Sequence, residues 1–112
     1  MGTVATISER IRPVLASLRQ DFQELYGVRL VKLVLYGSYA RGDAREWSDI
    51  DVLAVLKGPV NDWTETRRTE EAVAALCLRF DAVIHWTFLE EEEFLRGEGP
   101  LARNIRLEGI EV

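Results

Sequence analysis

Two apolar runs, Leu30 to Tyr36 and Asp49 to Leu56, bracket a polar stretch that opens with Gly37-Ser38 and closes with Ser48-Asp49-Ile50-Asp51. This pattern of run, turn and run constrains the chain more than any other feature, because it demands two strands joined at a turn where polar chemistry is concentrated. Side chains alternate along a strand, so Asp49 and Asp51 share one face while Ile50 and Val52 take the other. Alone, an Asp-x-Asp pair reads equally as a turn cap after Ser48 followed by an edge charge. Here the second acid lies inside an apolar run, where an unpaired carboxylate is costly. Two such carboxylates suit a divalent cation such as Mg²⁺, which takes few protein oxygens and leaves other positions to water and phosphate. The Gly-Ser pair at a strand end lets backbone N–H groups and a hydroxyl face an anion.

The remaining chain supplies elements to cover those strands. Ile7, Ile11, Val14, Leu15, Leu18, Phe22, Leu25 and Tyr26 recur at spacings of three and four, which predicts an amphipathic helix ended by Gly27. Thr6 with Glu9 reads as a capping box, yet Pro13 sits too deep for a helix starting there, so the helix either kinks at Pro13 or begins later. Val28 to Tyr36 has Leu30, Lys32, Val34 and Tyr36 on one face and Val31, Leu33 and Leu35 on the other, as in a central strand covered on both sides. Tyr39 to Arg41 is expected to form a turn of helix closed by Gly42, and Asp43 to Ser48 a loop. Asp62 with Glu65 marks the start of a helix running to about Arg79, with Val73, Leu76, Cys77 and Phe80 inward. Asp81 to Leu89 is the third expected strand, Glu90 to Arg96 a short helix, and Pro100 opens a last helix ending near Gly109. The expected fold class is α/β (α+β): a small mixed sheet flanked by helices.

If the third strand lies beside the second, Asp81 at its start reaches the same site and completes a set able to hold a second metal ion. Composition narrows the function further. The chain has 112 residues and reads as one domain over 1–112. A net charge of −5 works against direct nucleic-acid binding, where basic residues dominate affinity. Cys77 is the sole cysteine and His85 the sole histidine, which excludes an intrachain disulfide and a Cys/His zinc cluster. The sequence has no apolar run long enough to span a membrane and no secretory leader at its start, so a cytoplasmic protein is expected. Met1-Gly2 to Thr6 also fits the loose myristoylation pattern, which many unmodified termini share.

Gly37-Ser38, Arg41-Gly42 and Ser48-Asp49-Ile50-Asp51, in this order between two strand-like runs, resemble the signature of the DNA polymerase β-type nucleotidyltransferase superfamily. More narrowly, they resemble its minimal nucleotidyltransferase branch, with G-S-x-A-R-G followed by S-D-I-D. The resemblance implies that Gly37 and Ser38 bind the phosphates of a nucleoside triphosphate, ATP being the expected one. It implies that Asp49 and Asp51 hold two Mg²⁺ ions, and that Asp81 is the third catalytic acid. Arg41 is a further phosphate contact or, equally, an exposed arginine paired with Asp43 or Glu46. The implied reaction transfers AMP to a hydroxyl with release of pyrophosphate. The branch further implies a partner, a HEPN-domain toxin whose tyrosine is modified, with this chain as antitoxin. The alternatives are an antitoxin that binds and sequesters with little turnover, and a standalone enzyme acting on a small molecule.

Several other residues have competing readings. His85 alternates onto the face of Asp81, but a histidine satisfied by packing or a backbone hydrogen bond is the favoured reading. Trp47, beside the acids, stacks on a base, packs on the domain or meets a partner. Trp63 and Trp86 read as core or interface residues, Cys77 as a small core side chain, and Glu90 to Glu93 as a solvated helix start.

Overall fold

The computed structural model describes residues 7–112, so the Thr6 capping box and the N-terminal myristoylation pattern lie outside the described residues. Helix α1 spans Arg12–Tyr26, with Pro13 in its first turn, where the missing N–H of proline leaves no bond unmade. The later start is therefore the correct one, and the helix needs no kink at Pro13. A turn of 3-10 helix, Gly27–Arg29, separates α1 from strand β1, Leu30–Tyr36. Helix α2 covers Ser38–Arg41, strand β2 Ile50–Leu56, helix α3 Asp62–Phe80, strand β3 Ile84–Glu90, helix α4 Glu91–Arg96, helix α5 Pro100–Glu108 and strand β4 Ile110–Glu111.

The four strands form one mixed sheet in the order β3-β2-β1-β4. β2 runs antiparallel to β1 and parallel to β3, and the short β4 pairs antiparallel with β1. β4 was not expected from the sequence, since two residues show no periodicity.

Burial follows the strand alternation. Leu33, Leu35, Ile50, Val52, Ala54 and Leu56 pack under α1 and α3 against Leu18, Phe22, Val73 and Leu76. Val34, Leu53 and Val55 pack on the opposite face with Phe94 of α4 and Ile105 of α5. Coverage on both faces explains why β2 from Val52 to Leu56 carries no polar side chain. A register shift between Leu30 and Lys32 breaks the simple alternation of β1. Leu30 thereby joins the core under α1, away from Lys32 and Val34 with which strict alternation grouped it.

Two helix boundaries differ from the expected pattern. At α3 the cap is Asn61, whose side chain accepts the Thr64 N–H at 3.0 Å, while Glu65 Oε2 accepts the Asn61 N–H at 3.4 Å. The capping pattern is thus shifted by one residue from Asp62. Glu65 is buried and also accepts a hydrogen bond from Tyr26 Oη at 3.0 Å, which joins α1 to α3. At the far end α3 does not give way to a strand at Asp81. This residue caps the helix in the left-handed region, φ 49 and ψ 55, a conformation aspartate tolerates better than most side chains. β3 consequently begins at Ile84.

Phe22 is fully buried and stacks on Phe88 of β3, with ring centroids 6.2 Å apart. Phe22→Ala should cost about 3–5 kcal/mol of stability. Urea unfolding checks this as a lower midpoint at unchanged slope.

Candidate active site

The site forms where β1 ends and β2 begins. Gly37 leaves β1 with φ 75 and ψ −154, a conformation that glycine adopts readily, and serves as the N-cap of α2. A Cβ at this position would overlap Asp51 Oδ2, so the glycine is required twice over: for its backbone angle and for its closeness to the acid. Gly42, at φ 85, closes α2 as expected. The loop that returns to β2 is tied by Ser48, whose hydroxyl accepts the Arg45 N–H at 2.7 Å, and Asp49 follows directly.

Ile50 and Val52 point into the core under α1 and α3, so Asp51 projects to the opposite face, the side covered by α4 and α5. Register places Tyr36 opposite Asp51 on one side and His85 opposite it on the other. Tyr36, Asp51 and His85 therefore form a row across three strands on one face. Burial raises the Asp51 pKa above the ordinary carboxylate value, and repulsion from Asp49 adds to this, against the lowering influence of His85 and Arg41. Burial also raises the Tyr36 phenol, with the Asp51 charge contributing in the same direction.

Asp81 is placed elsewhere. It lines a cavity of about 480 Å³ with Ile11, Val14, Tyr39 and Ile50, residues of the core beneath α1 and α3. The strand that was to carry it does lie beside β2, but that strand begins at Ile84, and His85 stands opposite Asp51. Among the described residues no three His, Cys, Asp or Glu side chains are grouped closely enough to hold one metal ion. Asp49 is thus near enough to Asp51 to repel its charge, while Asp81 does not join them in a three-ligand group. His85 is not satisfied by core packing as favoured above. It is largely exposed, and its Nδ1 lies 3.5 Å from Asp51 Oδ1. Of the tryptophans, Trp47 is exposed at the rim of the cavity, Trp63 is exposed beneath Arg67, and Trp86 donates to Thr69 Oγ1 at 2.9 Å.

Glu108, the last residue of α5, was missed by sequence reasoning. Its Oε1 accepts the Gly37 N–H at 3.2 Å, and Arg41 Nη1 lies 3.4 Å from its Oε2. Arg41 also meets Asp43 at 3.3 Å. Both the Gly37 N–H and the Arg41 guanidinium, expected to face an anion, thus face a carboxylate supplied by the chain itself. No local signal at Glu108 announces this, because 71 residues of sequence separate it from Gly37.

The mixed sheet, with a glycine-serine turn after β1 and paired acids where the interior strand β2 begins, defines a nucleotidyltransferase fold. The family model of the nucleotidyltransferase domain matches residues 15–111, and the chain belongs to that family. Within it, the chain is related to protein adenylyltransferase MntA of Thermococcus cleftensis, 40% identical over 76 residues that cover 68% of this chain and 75% of that one. A candidate protein adenylyltransferase of Methanocaldococcus jannaschii is 41% identical over 44 residues, 39% of this chain, and the match spans only 30% of that relative's length. Among solved structures, a toxin–antitoxin complex with AMP-PNP aligns with a TM-score of 0.61 at 18% identity, covering 93% of this chain and 72% of that one. A candidate nucleotidyltransferase from Sulfolobus solfataricus aligns at 0.56 and 21% identity, covering 97% and 90%. At these identities the likeness to the solved structures is one of fold.

The raised Asp51 pKa carries a consequence for stability. A carboxyl whose folded pKa exceeds its unfolded one contributes stability below the unfolded value and loses it as pH rises through the folded value. Asp51→Asn should therefore melt higher than the parent chain at neutral pH, with the difference closing in acid below the ordinary aspartate pKa. Thermal melts across this pH range provide the check.

Proposed function

We propose that this chain transfers AMP from ATP to a hydroxyl of a protein partner, with Asp49 and Asp51 holding a divalent cation, Mg²⁺ in the ordinary case. The observation that carries the reading is the close approach of the Gly37 turn to Asp51, which sets the backbone we assign to phosphate binding directly beside one carboxylate, with Asp49 near enough to repel its charge. The residues fit a cation: Asp51 is partly desolvated, its charge is opposed by Asp49, and Gly37, having no side chain, lets the turn pass directly against its Oδ2. A bound cation supplies neutralisation of phosphate charge and of charge developing in transfer.

The remaining work belongs to the chain. The Gly37 N–H and the Ser38 hydroxyl hold the terminal phosphates, and Arg41, at the end of α2, adds a cation to that flank. In-line attack places the acceptor oxygen opposite the departing pyrophosphate, and rigid anchoring of the acids on buried β2 preserves that alignment. The acceptor we favour is a tyrosine of a HEPN-domain toxin, with this chain as the antitoxin of a two-component module. Kinship with MntA, together with the fold shared with toxin–antitoxin nucleotidyltransferases, supports this choice. The proposal extends to a single domain over 1–112 and to a cytoplasmic location.

Purified chain incubated with Mg²⁺, α-labelled ATP and the co-expressed helical partner should label that partner. Asp49→Ala combined with Asp51→Ala should reduce labelling by about 10²–10³-fold or more. Labelling that persists in the double variant would sink the assignment of the acids. If the double variant still neutralises the partner without labelling it, sequestration is the correct function.

Glu108 gives a separate prediction. An incoming phosphate must replace its carboxylate at the Gly37 N–H and beside Arg41. Glu108→Gln keeps the size and removes the charge, and should tighten AMP-PNP binding roughly fivefold, equivalent to about 1 kcal/mol. Calorimetric titration measures it; weaker binding would instead make Glu108 a support for the turn.

A further inference from the structure

The carboxylate of Asp51 has a different neighbour at each oxygen. Oδ2 lies against the backbone of Gly37, so closely that no side chain fits there. Oδ1 faces His85 Nδ1 at 3.5 Å, across the parallel pairing of β2 with β3. Asp51 is partly buried while the imidazole is largely exposed, on a strand at the edge of the sheet. Substitution of His85 therefore removes no core contact. The histidine also flanks Asp51 on the side away from the Gly37 turn.

We propose that His85 is a positioning residue for Asp51: its imidazole occupies the place across the strand pair where a third acid was expected, and directs the Asp51 carboxylate toward the cation. This rests on the reading that Asp49 and Asp51 hold a divalent ion. An imidazole carrying its proton on Nδ1 presents an N–H to Oδ1 and limits rotation of the carboxylate, while Gly37 confines Oδ2. The site then consists of two carboxylates oriented by a histidine, and Asp81 has no part in it. Groups that orient a ligand in this way commonly change metal affinity by about 10–100-fold when removed.

The test uses Mn²⁺ as probe and the full chain without nucleotide, with free Mn²⁺ followed by electron paramagnetic resonance. His85→Ala should weaken binding by about tenfold or more, and His85→Asn, which keeps a nitrogen donor at the δ position, should recover most of that loss. Asp81→Asn should bind as the parent chain does. His85→Asp, which installs a third carboxylate, should bind more tightly than the parent. Unchanged affinity in His85→Ala, no recovery in His85→Asn, or a loss in Asp81→Asn equal to that in Asp51→Asn each overturns the proposal.

A second readout needs no metal. The Asp51 side-chain carboxyl ¹³C resonance should move in His85→Ala and return toward its parent position in His85→Asn; a resonance that stays in place in His85→Ala refutes the positioning role. If Asp49→Asn and Asp51→Asn leave Mn²⁺ affinity untouched, the cation reading itself falls. If those two lose affinity and the His85 variants do not, only the positioning role falls.

Discussion

The approach of Gly37 to Asp51 links the end of one strand to the start of its neighbour, and the arrangement of the site depends on it. Antiparallel pairing brings Tyr36 level with Asp51, so the backbone that turns at Gly37 must pass beside a carboxylate. Only a residue without a side chain permits that passage. The same turn starts α2, which carries Arg41 outward, and the return loop closes at Ser48 just before the paired acids. One steric constraint thus fixes the distance between the glycine-serine turn and the Asp51 carboxylate.

Rigidity comes from what lies behind the face. β2 is buried along almost its whole length, clamped between the aromatic cluster of Phe22, Tyr26 and Phe88 on one side and Phe94 with Ile105 on the other. A strand packed on both faces has little freedom to tilt, so Asp51 inherits its position from hydrophobic contacts that take no part in chemistry. The desolvation that raises its pKa is a consequence of the same packing. Stability and site geometry are in tension here, since the burial that fixes the acid also disfavours its charge.

The sequence made the central elements readable because their signals are local. Alternation in β2 and in β1 beyond Lys32, the glycines at 37 and 42, and the apolar stripe of α1 each follow from spacing within a few residues. What could not be read depends on contacts between distant segments or on a backbone choice at a single residue. Asp81 looked like the start of a strand because β-branched and aromatic residues follow it, yet it ends a helix in a left-handed conformation. His85 lacked any sequence mark of its partnership with Asp51, which exists only through parallel register with β2. β4 is too short to show a period, and Glu108 reaches Gly37 from the opposite end of the described chain.

The placement of Glu108 changes how the site responds to its ionic surroundings. A phosphate entering an empty cationic pocket displaces mobile counterions, and its affinity falls steeply with added salt. Here the Gly37 N–H and Arg41 already have a tethered counterion. Any anion that enters here exchanges with a carboxylate, and screening acts on the incoming and the departing charge alike. Salt sensitivity at this flank is correspondingly blunted, because the counterion is covalently part of the chain.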